Sequence, residues 1–455
     1  MSKNGIHING QVIEKVSGPV SAYYLVPIYD IYNEDVVYKT HRMPVLLFGD
    51  YHDSLKNLCG PEKKAYPIFD KKFYKNFDRK SISADVFIEI YADVKQSLTP
   101  LSKGFNSALR NVITEFKPCF PLYKPFLKKD NECVTKHIKW HAADARFGTL
   151  YDSTIPNKKK RRLSFEAILT MPRWFCSTMS ITESWLQRDF DAHDYNPTAE
   201  ELHSVRLIFK SIFAKYVTKN MFTVDANGFA NEFFKHLHVK NSLIAKQLAK
   251  HSILDITFWK RVFIFLILQH STYFSSIITF DENVYNDYVE HYGTVKMVDP
   301  AKKLGQGMVI VFRCLFAAIL DLYTLARMFK VTNHPSFLSI GYFGDAHSSS
   351  ISYALARLFG YKIKFIKVPH EIYPKNINRC LIIDSLLHID KDILQSKKEF
   401  TTLRTSPPRK LRSTRSRKSS TRKSRSTRSR KSSTRKSRST RSRKSSTRKS
   451  RSTRS

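Results

Sequence analysis

Solid apolar runs and period-two alternation mark the strands of this chain. Residues 45–48 (Val-Leu-Leu-Phe) and 337–343 (Phe-Leu-Ser-Ile-Gly-Tyr-Phe) read as buried strands. Residues 84–90 (Ala-Asp-Val-Phe-Ile-Glu-Ile) read as a third, with an acid near its end. A helix is predicted over 348–359, where Ile351, Ala354, Leu355, Leu358 and Phe359 share one face and Gly360 stands at the natural stop. Residues 361–368 alternate apolar residues with lysine, which predicts a strand with one wet face, and 381–383 (Leu-Ile-Ile) adds another. The middle, about 163–330, reads helical. Thr198 and Glu201 form a capping box that opens a helix to about residue 220, and apolar-periodic stretches come next at 240–280 and 308–330. Strands alternating with helices predict an α/β body with a central sheet over 1–403, carrying a helical insertion at about 163–330.

Two of these strands end in the same four-residue pattern, Gly49-Asp50-Tyr51-His52 and Gly344-Asp345-Ala346-His347. A glycine directly after a buried strand suits a sharp turn, and open α/β sheets place their ligands at the carboxyl ends of strands. A single Gly-Asp-x-His is more often a strand-to-helix turn with the Asp as N-cap. Two copies in one context, almost 300 residues apart, point instead to two halves of one site.

The chemistry of such a site is set by its residue types. Neutral imidazole and ionised carboxylate are ligands for a divalent metal ion and also serve general acid–base work. The predicted set has His52 and His347 as metal ligands and Glu89, Asp50 and Asp345 as catalytic carboxylates, with Gly49 and Gly344 at the turns. Trp140-His141-Ala-Ala-Asp144-Ala-Arg146 adds Arg146 as a clamp for an anionic intermediate. The bland readings are a surface glutamate at Glu89 and a structural Asp144–Arg146 ion pair. Asp191-Ala-His193-Asp194 reads as an exposed loop outside the site.

Charge changes the picture at the carboxyl end. Of a formal net charge of +38, twenty units lie between Arg412 and Ser455, where there is no acid, and +18 remains on the rest. A thirteen-residue unit at 412–424 recurs at 425–437 and 438–450, each with six basic and seven hydroxyl residues and nothing apolar. Such a segment cannot offset its ordering entropy, so 404–455 is predicted to be a disordered tail. Arg412, Arg415, Arg417, Lys418, Arg422 and Lys423 of the first unit are the type of residue that neutralises phosphates, with nucleic acid as the expected partner. Lys158–Arg162 resembles a nuclear signal. The six cysteines are scattered without a Cys-x-x-Cys pair, which argues against a zinc ribbon and a dense disulfide framework. No secretory leader is visible, and the apolar stretches at 262–268 and 308–320 are too short to span a bilayer. The expectation is an intracellular protein in a reducing compartment, in a nucleus, a virus factory or a virion.

The paired Gly-x-x-His motifs, with Glu89 ending the strand after the first, resemble the TraB/Tiki superfamily and its erythromycin esterase-like and ChaN-like relatives. Ala84 stands where that family's Pro-Asp-hydrophobic-Glu strand has proline. The resemblance spans about 40–390 and implies a metal-assisted hydrolase, Tiki-like members being metal-dependent proteases and ChaN-like members haem binders. Calcineurin-like phosphoesterases share only an Asp-x-His and rank second. The Arg/Ser/Thr/Lys repeat resembles tails of proteins of large DNA viruses. The competing expectation is therefore a non-enzymatic nucleic-acid-binding or packaging protein that uses an enzyme fold as scaffold.

Overall fold

The computed structural model describes residues 4–29, 42–51, 58–62, 64–91, 108–121, 132–144, 226–236, 243–250, 256–280, 314, 317–330, 334–369 and 379–405. The chain divides into two units, 1–406 and 407–455, and the second lies outside the described residues.

The strands are β1 (Gly5–Ile8), β2 (Gln11–Ile13), β3 (Lys15–Ser17), β4 (Ser21–Pro27), β5 (Val45–Asp50), β6 (Ala65–Pro67), β7 (Ala84–Tyr91), β8 (Ile138–Asp144), β9 (Leu338–Gly344), β10 (Tyr361–Lys367), β11 (Cys380–Ile382) and β12 (Leu386–His388). The helices are α1 (Lys71–Lys75), α2 (Ala108–Phe116), α3 (Ala226–His236), α4 (Leu243–Lys250), α5 (Ile256–Phe280), α6 (317–328), α7 (Asp345–Leu358) and α8 (Ile389–Thr405). Helices and mixed sheets together make an α/β body, and the described part of the 163–330 segment is helical.

Six strands form the main sheet in the order β10-β4-β5-β9-β7-β8. β5, β9, β7 and β8 run parallel, and β4 is antiparallel to both neighbours. Period-two side chains divide the core in two. On one face Tyr23, Leu25, Val45, Leu47, Phe87 and Phe343 pack against α3 to α7. On the other, Tyr24, Leu46, Phe48, Val86, Trp140, Ile340 and Tyr342 pack against α1, α2, α8 and the two small sheets. Fully burying one such aromatic or aliphatic side chain contributes about 1.5–3 kcal/mol. With helices on both faces, the central strands are apolar throughout, so runs such as 45–48 show no alternation.

The two small sheets, β12-β1-β2 and β11-β3-β6, tie the amino-terminal segment to residues 380–388. Four of the six cysteines pair, Cys59 with Cys380 and Cys119 with Cys133, while Cys314 is buried and outside either disulfide. The two disulfides run against the reducing compartment expected from scattered cysteines; one closes across 321 residues and the other across 14, neither with Cys-x-x-Cys spacing. Among the described residues no helix is long and apolar enough to cross a membrane.

Candidate metal centre

β9 inserts between β5 and β7, so three parallel strands end side by side. Gly49 stands opposite Phe343 and Asp50 opposite Gly344, which makes the two Gly-Asp-x-His motifs neighbours at one sheet end. The chain leaves β5 toward β7 but leaves β9 through α7 back toward β10, and ligand crevices of open sheets form where such connections diverge.

Neither motif glycine sits at positive φ. Gly49 is needed for space: a Cβ there would lie 2.7 Å from Asp345 Oδ1 and 2.9 Å from Asp345 Cα. Asp345 fills that space as it accepts a hydrogen bond from the buried Ser21 hydroxyl. Gly344, at φ −54°, is the N-cap of α7 without a side-chain cap. Its backbone N–H donates to Glu89 Oε2 at 2.6 Å, so a carboxylate from the end of β7 sits at the positive end of the helix.

Imidazoles and a second carboxylate meet beyond that contact. His347, near the start of α7, has Nε2 3.5 Å from Glu89 Oε1 and Nδ1 2.7 Å from Asp321 Oδ1. Asp321, from α6, is fully buried, and its second oxygen lies 2.6 Å from His270 Nε2 on α5. Burial pushes the Asp321 carboxyl up, but the His347 and His270 imidazoles together outweigh it and hold it below the usual carboxylate range. One ligand atom from each of His270, Asp321 and His347 falls within 4.8 Å of the others. Two imidazoles and a carboxylate suit the borderline first-row ions, zinc and ferrous iron among them. In tetrahedral coordination with bonds of about 2.0–2.1 Å the ligand atoms stand roughly 3.3 Å apart, so for an ion to enter the two Asp321 contacts would open and both ring nitrogens would give up their protons. The group could therefore hold a metal ion.

The structure brings together Glu89 and His347 of the predicted set. Asp50 turns to the opposite face, where Tyr342 Oη donates to it at 2.8 Å and the buried Arg379 guanidinium pairs with it. Arg379 also donates to the Gly18 carbonyl at 2.8 Å. Asp345 points toward β4 and Ser21 rather than toward His347. His52, Arg146, Lys158–Arg162, Asp191–Asp194 and the tail residues Arg412, Arg415, Arg417, Lys418, Arg422 and Lys423 lie outside the described residues. Sequence reasoning missed His270 and Asp321. Both interrupt apolar helical stretches, Phe263-Ile-Phe-Leu-Ile-Leu-Gln-His270 and Ala317-Ala-Ile-Leu-Asp321-Leu. An ionisable residue inside such a stretch is itself a signal, because it is rarely buried unless paired.

A second polar chain lies on the same face. His141 Nε2 is 3.0 Å from Asp85 Oδ1, and Arg327 Nη2 is 3.0 Å from His141 Nδ1. Comparison with protein-family models, curated proteins and solved structures gives no match for this chain.

Proposed function

We propose that the body is a metal-assisted hydrolase whose divalent ion is held by His270, Asp321 and His347. The observation that carries this reading is the convergence of two imidazoles and a carboxylate, all buried, from three different helices. Their place at the carboxyl end of the parallel strands supports it, as does the resemblance to the paired Gly-x-x-His superfamily. A divalent ion in such a set supplies Lewis acidity toward a substrate oxygen. The chain's own residues position and move the proton. Glu89 is anchored through Oε2 by the Gly344 N–H, which aims Oε1 toward His347 and suits it to accept a proton from an attacking water. Until an ion enters, Asp321 fixes the orientation of both rings by accepting from one nitrogen of each.

Titrating the full chain with cobalt(II) or zinc tests the reading. One equivalent is expected, lost in His270→Ala, Asp321→Ala and His347→Ala. Glu89→Gln should keep the ion and lose hydrolysis of ester or amide substrates. No saturable binding by the unaltered chain would sink the proposal.

The repeat at 412–455 supports a second element, sequence-blind nucleic-acid binding through phosphate neutralisation, which fits a nucleus, a virus factory or a virion. On duplex DNA the log affinity should fall with log salt by about 0.9 per phosphate neutralised. Deleting 407–455 should remove most of that slope and leave the metal stoichiometry unchanged. Equal slopes with and without the repeat refute it.

A further inference from the structure

The candidate metal centre depends on α6 lying at one particular position. α6 supplies Asp321, and both oxygens of that carboxylate are engaged, one by His270 of α5 and the other by His347 of α7. Bonds of this length fail once the heavy atoms separate by much more than about 0.5 Å. Apolar contacts are non-directional, so they do not by themselves specify which carboxylate oxygen meets which ring.

Arg327 lies six residues further along α6, about 9 Å by helix rise. Its guanidinium makes two contacts off its own helix. Nη1 donates to Gln247 Oε1 of α4 at 3.3 Å, and Nη2 donates to His141 Nδ1 of β8 at 3.0 Å. The ring relays the link, since its Nε2–H donates to Asp85 Oδ1 of β7 at 3.0 Å and its face stacks on Phe87 at 4.7 Å. Because Nδ1 accepts from arginine, the proton of the neutral ring must sit on Nε2. Burial holds His141 below the ordinary imidazole range against the upward pull of Asp85, and this preserves the Nδ1 lone pair as an acceptor. Such a half-buried chain adds little net stability over apolar residues of the same volume. Its directional bonds instead select one register of helix on sheet.

We infer that Arg327 is a positioning residue: through His141 and Asp85 it fixes α6 on the sheet where Asp321 reaches both His270 and His347. Its functional meaning rests on the metal-centre reading, but the geometry it sets is measurable without an ion. Imidazole N–H protons donated to a buried carboxylate resonate far downfield and exchange slowly. In full-length protein with ring-15N histidine, a signal from His141 on Asp85 is set aside by its loss in His141→Gln, and the two from His270 and His347, both on Asp321, are the readout. Arg327→Met should broaden or abolish them, and Arg327→Lys, which keeps a donor for His141, should restore them. Phe116→Leu, a core change on the opposite face, should leave them in place whatever stability it removes. Should Arg327→Met not fold, His141→Leu asks the same question and His141→Gln is its rescue. Unchanged downfield signals in Arg327→Met or His141→Leu overturn the inference, as does their absence from the unaltered protein. In a parallel cobalt(II) titration Arg327→Met should weaken binding at least tenfold. Failure of the unaltered chain to bind cobalt(II) counts against the metal reading and leaves the signal test standing.

Discussion

Gly49-Asp50 and Gly344-Asp345 are the same two letters at the ends of adjacent parallel strands, yet they do different physical work. In the first, the glycine is empty space occupied by Asp345, and the aspartate is one half of a buried ion pair with Arg379 on the far face. In the second, the glycine is a helix cap whose N–H holds Glu89, and the aspartate accepts from Ser21. A repeated motif thus marks a shared place in the fold, not a shared role. The element after the strand decides the role. α7 begins at Asp345 and carries His347 to Glu89 and Asp321, whereas Asp50 ends its strand beside Tyr342.

The widest gap should separate the two aspartates. Arg379 is 1% exposed, so Arg379→Met strands Asp50 as a buried charge and should cost about 3–5 kcal/mol in urea unfolding. Asp50→Asn should cost a similar amount, because it strands the guanidinium instead. Asp345→Asn keeps an acceptor for Ser21 and should cost about 1 kcal/mol. Equal losses for the two asparagine variants would erase the distinction between the motifs.

The glycines should differ by less. Gly49→Ala puts a methyl group against the Ser21 hydroxyl and Asp345 and should cost about 1–3 kcal/mol. Gly344, with φ −54°, adopts a conformation open to any residue, so Gly344→Ala should lower stability by less than ~1 kcal/mol while leaving cobalt(II) stoichiometry unchanged. A larger loss for Gly344→Ala would reverse the assignment of roles.

A weaker effect, outside both motifs, sets the baseline. His141 titrates below its ordinary value, so as pH falls the unfolded chain takes up that proton first and stability declines from about pH 6.5 downward. For Asp85, burial raises the carboxyl, but the bond and charge of His141 outweigh it and hold it below 3.8. Its contribution is therefore intact above pH 3.8 and is lost as pH falls through the lower folded value. His141→Gln should remove the first decline and leave aspartate-linked losses at lower pH. An unaltered decline near pH 6.5 in that variant would assign it to another group.

Much of this was legible in the sequence, for identifiable reasons. β5, β7, β9, α7 and β10 are continuous patterns, and their predicted bounds fall within about three residues of the observed ones. Glu89 and His347 were legible because strand ends and strand-to-helix turns expose functional groups. β1 to β3 were not, being three or four residues each and stabilised by pairing with residues far along the chain. His270 and Asp321 were hidden because their helices read only as apolar periodicity, and nothing local says that three helices converge. The opposed directions of Asp50 and Asp345 were equally hidden, since the same dipeptide ends a strand in one place and begins a helix in the other.

The insertion of β9 between β5 and β7 also sets the order in which the molecule can be completed during synthesis. Nearly 200 residues separate the end of β8 from the start of β9. At roughly 5–20 residues per second, the ribosome needs about 10–40 s to deliver the missing central strand. Through that interval β5 and β7 have no β9 to pair with, and each presents an open row of backbone donors and acceptors to any other strand. A nascent chain with its sheet open at the centre is a substrate for chaperones and for aggregation. The strand that closes this gap runs directly into the helix carrying His347, so no partly made chain can display the site before its central strand has been delivered.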